Sequence, residues 1–180
     1  MGQLSGPPRI PALALIAACL LAANCAAQTA ATPQADIASA AHPEARLYEP
    51  SRDAGRDVAE ALARAAERGT YVLIVMGADW CHDSRALAGW LSTPRFARMI
   101  HARYELVYVD VGRPQEEMGR NLQIAWQRGV EEVSSTPAVL ILSPGNELLN
   151  ADTATGWGNA ASRGESEIFD YFAEFDRDSG

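Results

Sequence analysis

Lysine is missing from this chain of 180 residues, and all fifteen basic residues are arginine. That excludes a phosphate-gripping lysine of the Walker type and any Schiff-base chemistry on a lysine amine. Basic residues are outnumbered by 23 acidic ones, for a net charge of −8. An acidic surface repels phosphate backbones, so nucleic acid is not expected as a partner. No Gly-x-Gly-x-x-Gly, Gly-x-Ser-x-Gly or phosphate-loop pattern occurs, and no organic cofactor is expected. Metal-binding spacings of the Cys-x-x-Cys or His-x-x-x-His type are absent as well. His42 and His101 stand isolated along the chain. Cys81, His82 and Asp83 are three ligand types in a row, but consecutive residues rarely converge on one ion, and no metal site is expected. Cysteine is scarce, with only Cys19, Cys25 and Cys81. Against these absences, hydrophobic residues at 48% and charged residues at 21% are ordinary for a globular protein. The length suits one domain with appendages.

The longest apolar run, Ile10 to Ala23, is interrupted by Pro11 and is too short to span a bilayer comfortably. It follows Arg9, in a stretch without acidic residues, and precedes Asn24-Cys25-Ala26-Ala27-Gln28. A basic start, a short apolar centre and small residues at its end make a secretory signal. Cleavage before Gln28 is expected, with residues 1–27 as the signal. The expected location is therefore periplasmic or secreted. Ile16-Ala17-Ala18-Cys19 also resembles a lipobox, which would place lipid on Cys19, although the apolar run continues past that cysteine. An uncleaved membrane anchor is a third option. Only these last two would bring the protein to a membrane. Cleavage removes Cys19 and Cys25, leaving Cys81 as a lone thiol in an oxidising compartment.

Residues 28–50, rich in Ala, Thr, Pro and Gln, predict a flexible linker, and residues 51–180 the domain. Within the domain, apolar residues recur at helical spacing over 53–68, with Asp53 as a cap and Gly69 as a stop. Tyr71 to Met76 is a continuous apolar run of the kind found in strands buried on both faces. Helical spacing returns over 82–91 and from Pro94 to about Ile100. A strand is predicted from Glu105 to Val111 and a helix over 114–128, with Met118, Leu122, Ala125 and Trp126 as its apolar set. A third strand runs from Pro137 to Leu142, with Glu147 to Asn150 as a hairpin partner after a Ser-Pro-Gly-Asn turn. Residues 151–164 read as a loop and 165–177 as a closing amphipathic helix. Alternating helices and strands predict an α/β domain with a parallel core, and the terminal hairpin adds an antiparallel strand.

Two local patterns point further. One is the strand Val72-Leu73-Ile74-Val75-Met76 running into Gly77-Ala78-Asp79-Trp80-Cys81-His82-Asp83-Ser84. The other is Ser135-Thr136-Pro137-Ala138 at the entry to the third strand. On these patterns, with Val109-Asp110-Val111 between them, residues 54–176 resemble the thioredoxin superfamily, and most closely its secreted bacterial members. The resemblance implies a thioredoxin-like fold, a central mixed β-sheet flanked by helices. It also implies an attacking thiol at Cys81 and a cis-proline at Pro137, preceded by Thr136 and packed against the thiol. Trp80, Thr136 and Pro137 would then meet the substrate, with Trp80 shielding one side of the sulfur and the proline edge pairing with an extended segment.

The chemistry of the position fits. A thiol at a helix N-terminus faces unpaired backbone N–H groups and the positive end of the helix dipole, both of which favour thiolate. His82 would add positive charge when protonated, and Asp83 would oppose it. Ser84 stands where the family usually has a second cysteine, and either donates a hydrogen bond to the Cys81 thiolate or serves as an ordinary first-turn residue. Val75 stands where many thioredoxins bury an aspartate. A lone thiol can form a mixed disulfide but cannot resolve it from within. The expected function is thiol–disulfide exchange through Cys81, with protein thiols or disulfides, or small thiols such as glutathione, as partners. The alternatives are a non-catalytic binding module and a redox sensor that uses the single thiol. Trp90 and Trp126, on apolar helical faces, are expected in the core, and Trp157 has no assignment from its Gly-rich surroundings.

Overall fold

A computed structural model of the protein describes residues 42–175. The signal segment, the linker up to residue 41 and residues 176–177 of the closing helix lie outside the described residues. After an arm over 42–50, helix α1 (Ala54–Arg68) begins at Asp53, whose carboxylate accepts the Arg56 N–H. It ends at Gly69, left-handed at φ 68°, a conformation that glycine reaches without strain. Strand β1 (Tyr71–Gly77) follows, then α2 (His82–Leu91), α3 (Pro94–Arg103) and β2 (Tyr104–Asp110). A small ribbon of β3 (Gly112–Arg113) and β4 (Met118–Gly119) encloses a 3-10 turn, and the short α4 (Gln123–Trp126) comes next. Strand β5 (Ala138–Leu142), a 3-10 turn at Ala160–Ser162 and α5 (Glu165–Glu174) complete the order.

The main sheet has the order β2-β1-β5, with β1 parallel to β2 and antiparallel to β5. This is the mixed sheet of the thioredoxin-like fold. β1 is its centre, and its alternate residues feed two cores. Val72, Ile74 and Met76 pack with Val58, Ala61 and Ala65 of α1 and with Ile124 and Ala125 of α4. Leu73 and Val75 face the other way, onto Leu87, Leu91, Phe96, Ile168 and Phe172 from α2, α3 and α5. Burial on both faces explains why this strand reads as an unbroken apolar run.

The structure corrects the sequence reading in four places. First, the segment taken as a tether is docked from Pro43 onward. The Ala45 N–H donates to the Arg85 carbonyl at 3.0 Å, and Tyr48 is 2% exposed. Second, the helix expected over 114–128 is broken. Glu117 and Asn121 within that span take positive φ, which no α-helix accommodates. Asp110 organises this irregular chain: its carboxylate accepts the Gly112 N–H and pairs with Arg120, and its carbonyl accepts the Asn121 amide.

Third, Trp126 is not core, being 53% exposed, and Met118 of the same apolar set is exposed too. Trp90 is partly buried against the second core, as expected. Fourth, the antiparallel strand of the sheet is β5 itself, whereas Glu147 to Asn150 contributes only a single bridge, Leu148 to Leu142. Asn150 covers part of that edge with its side chain, accepting the Ile141 N–H and donating to the Val139 carbonyl. Trp157, which the sequence leaves without an assignment, is 1% exposed, stacked on Phe172 with ring centroids 5.5 Å apart and covered by the Arg163 guanidinium.

Candidate functional site

β1 ends at Gly77, and the turn Ala78–Asp79–Trp80 delivers Cys81 to the N-cap of α2. The turn closes with the Cys81 N–H donating to the Ala78 carbonyl at 3.0 Å. Gly77 has to be small, because a Cβ there would lie 2.5 Å from Ser84 Oγ and 2.8 Å from the Tyr48 ring. β5 brings the second half of the site. The Thr136–Pro137 peptide is cis, and Cys81 Sγ lies 3.2 Å from the Thr136 carbonyl oxygen, to which the thiol donates. Cys81 and Thr136, 55 positions apart in the chain, therefore meet beside the cis peptide bond to Pro137. The Cys81 side chain makes no capping bond to the N–H groups of α2. Its sulfur turns to Thr136 instead, in a hydrogen bond that lasts only while the thiol keeps its proton.

The remaining site residues divide by what they touch. Trp80 is exposed, and its indole N–H donates to the Gly112 carbonyl at 2.8 Å while the Arg113 guanidinium lies 5.2 Å from its ring centre. The ring is thus held half-exposed in a groove that Met118 and Arg120 also line. Ser84 is fully buried, and its hydroxyl oxygen accepts the Ala78 N–H at 3.4 Å. Among the described residues no hydrogen bond joins Ser84 to Cys81. The serine holds the turn, so the structure favours the first-turn reading over a bond to the sulfur. Asp83 is also committed elsewhere: its carboxylate accepts the Ala161 N–H at 2.9 Å, tying α2 to the 3-10 turn before α5. His82 is exposed and points to the arm, with Nε2 3.2 Å from Glu44 Oε1.

The arm is the part that sequence reasoning missed. Arg46 and Arg85 both donate to the Asp79 carbonyl at 3.0 Å, and the Tyr48 N–H donates to the Asp79 carboxylate at 3.3 Å. The Tyr48 hydroxyl donates to the Ser84 carbonyl at 3.2 Å. The turn that carries Trp80 and Cys81 is therefore gripped from behind. Burial first, then the neighbouring Tyr108 and Cys81, push the Tyr48 phenol well above its ordinary range, so it keeps its proton for this bond. Pro43 lies so close to α2 that a Cβ on Gly89 would come within 2.0 Å of its carbonyl oxygen. The signal available in the sequence was local: Pro43, Leu47, Tyr48 and Pro50 stand apart from the Ala-Thr-Gln composition before them. His42, isolated by sequence spacing, is carried by this arm to within 4.7 Å of the His82 ring, centroid to centroid.

Comparison with known proteins agrees with this geometry. A family model described as thioredoxin-like matches residues 53–144, from the cap of α1 to just past β5. Among solved structures, the disulphide isomerase from Xylella fastidiosa Temecula1 is 28% identical. The match covers 74% of this chain and 98% of that one, with a TM-score of 0.67. A thioredoxin from Thermus thermophilus is 21% identical over 68% of this chain and 85% of its own, with a TM-score of 0.48. No curated protein matches.

Proposed function

The chain belongs to the thioredoxin-like family, and from that membership we propose that it is an exported monothiol protein that exchanges disulfides through Cys81. The observation that carries the reading is the placement of Cys81 Sγ at the start of α2, 3.2 Å from the carbonyl before cis-Pro137. The relation to a disulphide isomerase supports the same class of chemistry. In the proposed step the Cys81 thiol gives its proton to solvent and the sulfur attacks one sulfur of a disulfide. A new S–S bond forms to Cys81, the old one breaks, and the departing sulfur leaves as thiolate and takes up a proton. With Ser84 where a resolving cysteine would stand, release needs a second thiol from outside. If that thiol belongs to the same substrate, the net change is isomerisation, with no net oxidation. If it comes from glutathione attacking the Cys81 sulfur, the substrate leaves as a dithiol with Cys81 glutathionylated, and a second glutathione restores the Cys81 thiol and departs as glutathione disulfide. Trp80 and the edge at Thr136 and Pro137 are the proposed contacts for an extended substrate segment. Export rests on the signal at residues 1–27 with cleavage before Gln28, or lipid on Cys19.

The test is incubation with glutathione disulfide followed by intact mass spectrometry. The expected product carries one glutathione on Cys81, and Cys81→Ser removes it. An unmodified protein whose thiol is also slow toward iodoacetamide at neutral pH refutes the proposal. A second reading has its own observation: Cys81 is only 9% exposed, and Ser84 is wholly spent on the turn. In that reading the fold is a binding module, and capture of its partner survives Cys81→Ala.

A further inference from the structure

We propose that His42, Glu44 and His82 form a binding site for a divalent transition-metal ion of the zinc class, at the seam between the arm and the start of α2. One ligand atom from each lies within 4.8 Å of the other two. His82 Nε2 and Glu44 Oε1 are 3.2 Å apart. Two ligands at zinc bond lengths on one tetrahedral ion stand about 3.4 Å apart, so this pair is already at coordination spacing. The third ligand is close behind, with the imidazole rings of His42 and His82 4.7 Å apart. A separate observation comes from His42, whose Nδ1 is buried and has no hydrogen-bond partner. Orphaned buried nitrogens are rare in folded proteins and call for a partner, an ion included.

The donor set names the class of ion. Two imidazoles and one carboxylate suit zinc, nickel or copper, whereas calcium and magnesium take oxygen-rich shells. Three protein ligands leave a position for water. Glu44 is already oriented, because Arg85 Nε holds Oε2 at 2.8 Å and leaves Oε1 toward His82. An outer partner of this kind fixes the donating atom. The Arg85 guanidinium also works against a cation, so the expected affinity is weaker than that of a closed structural zinc site. Cys81 is next in sequence to His82 but stands outside the cluster. The ion would clamp the arm onto α2 without consuming the thiol.

The experiment is calorimetric titration of the untagged protein with zinc chloride alone, with the Tm read by circular dichroism in parallel. One zinc per chain is expected, with a rise in Tm on saturation. His82→Ala and His42→Ala should each weaken binding by tenfold or more and abolish the rise in Tm, and Glu44→Gln should weaken it as well. Cys81→Ser should bind as the parent does. His82 is exposed, so its variant keeps the fold, and its metal-free spectrum serves as the control. Failure of the parent to bind at millimolar zinc overturns the proposal. So does binding that survives His82→Ala together with His42→Ala, or that vanishes with Cys81→Ser.

Discussion

Replacing Tyr48 tests whether the arm is part of the domain. The side chain is 2% exposed, packs edge-on against Tyr108 with ring centroids 5.5 Å apart, and donates its hydroxyl to the Ser84 carbonyl. Deleting a buried aromatic ring costs about 3–5 kcal/mol, and Tyr48→Ala should fall in that range. Tyr48→Phe keeps the ring and removes only the donor, which costs about 0.5–1.5 kcal/mol plus any penalty for the unpaired carbonyl. Because burial keeps the phenol protonated well past its ordinary range, the Tyr48→Phe cost should stay constant between neutral and mildly alkaline pH. The assay is equilibrium urea unfolding followed by tryptophan fluorescence, with the slope checked for constancy so that midpoints convert to free energies. A residue in a solvated linker would change stability by no more than about 0.5 kcal/mol. A Tyr48→Ala cost below about 1 kcal/mol would therefore refute the docking of residues 43–50 and the grip on the Cys81 turn that depends on it.

Two further outcomes are expected. Ser84→Cys supplies the internal resolving thiol, so the glutathione adduct of Cys81 should no longer accumulate; mass spectrometry should show an internal disulfide and free glutathione instead. Glu105 gives a pH effect: burial opposes its ionisation, but hydrogen bonds and charge from Arg64 and Arg68 outweigh it and hold the carboxyl below its ordinary range. A depressed folded value means stabilisation present above the unfolded value of about 4.3 and lost as pH falls through the folded one. The Tm of the parent should thus fall on acidification below about pH 4.3, and that of Glu105→Gln, lower at neutral pH, should fall less over the same window.

The elements that sequence patterns located were those whose signal is local and whose burial is complete. β1 is apolar on both faces because both faces are covered, and its limits are a run of residue types. α1 carries its own start and stop in Asp53 and Gly69. The stretch after β2 misled because spacing alone cannot register backbone sign. Met118, Leu122, Ala125 and Trp126 recur as a helix face would, yet positive φ at Glu117 and Asn121 forbids that helix. What stabilises the alternative is Asp110, a buried acid bonded to Gly112, Arg120 and Asn121, a set of partners no periodicity displays. Trp126 is then left on the outside, on a helix of barely one turn.

The same distinction governs the site. Trp80-Cys81 and Thr136-Pro137 were legible because each is a short motif placed by the strand it adjoins, β1 and β5, and those strands pair directly. The roles of the neighbours were not legible, because each is decided by a distant atom. Asp83 faces the Ala161 N–H rather than the thiol, and Ser84 faces the Ala78 N–H. His82 faces an arm that composition alone assigns to a linker. For each of these, position next to Cys81 suggested an effect on the sulfur, whereas the hydrogen bond shows a job in holding the turn or the arm. The thiol is therefore surrounded by residues whose polar groups are already engaged, and its own donor is aimed at Thr136. The arm bears on Cys81 by fixing where the turn sits.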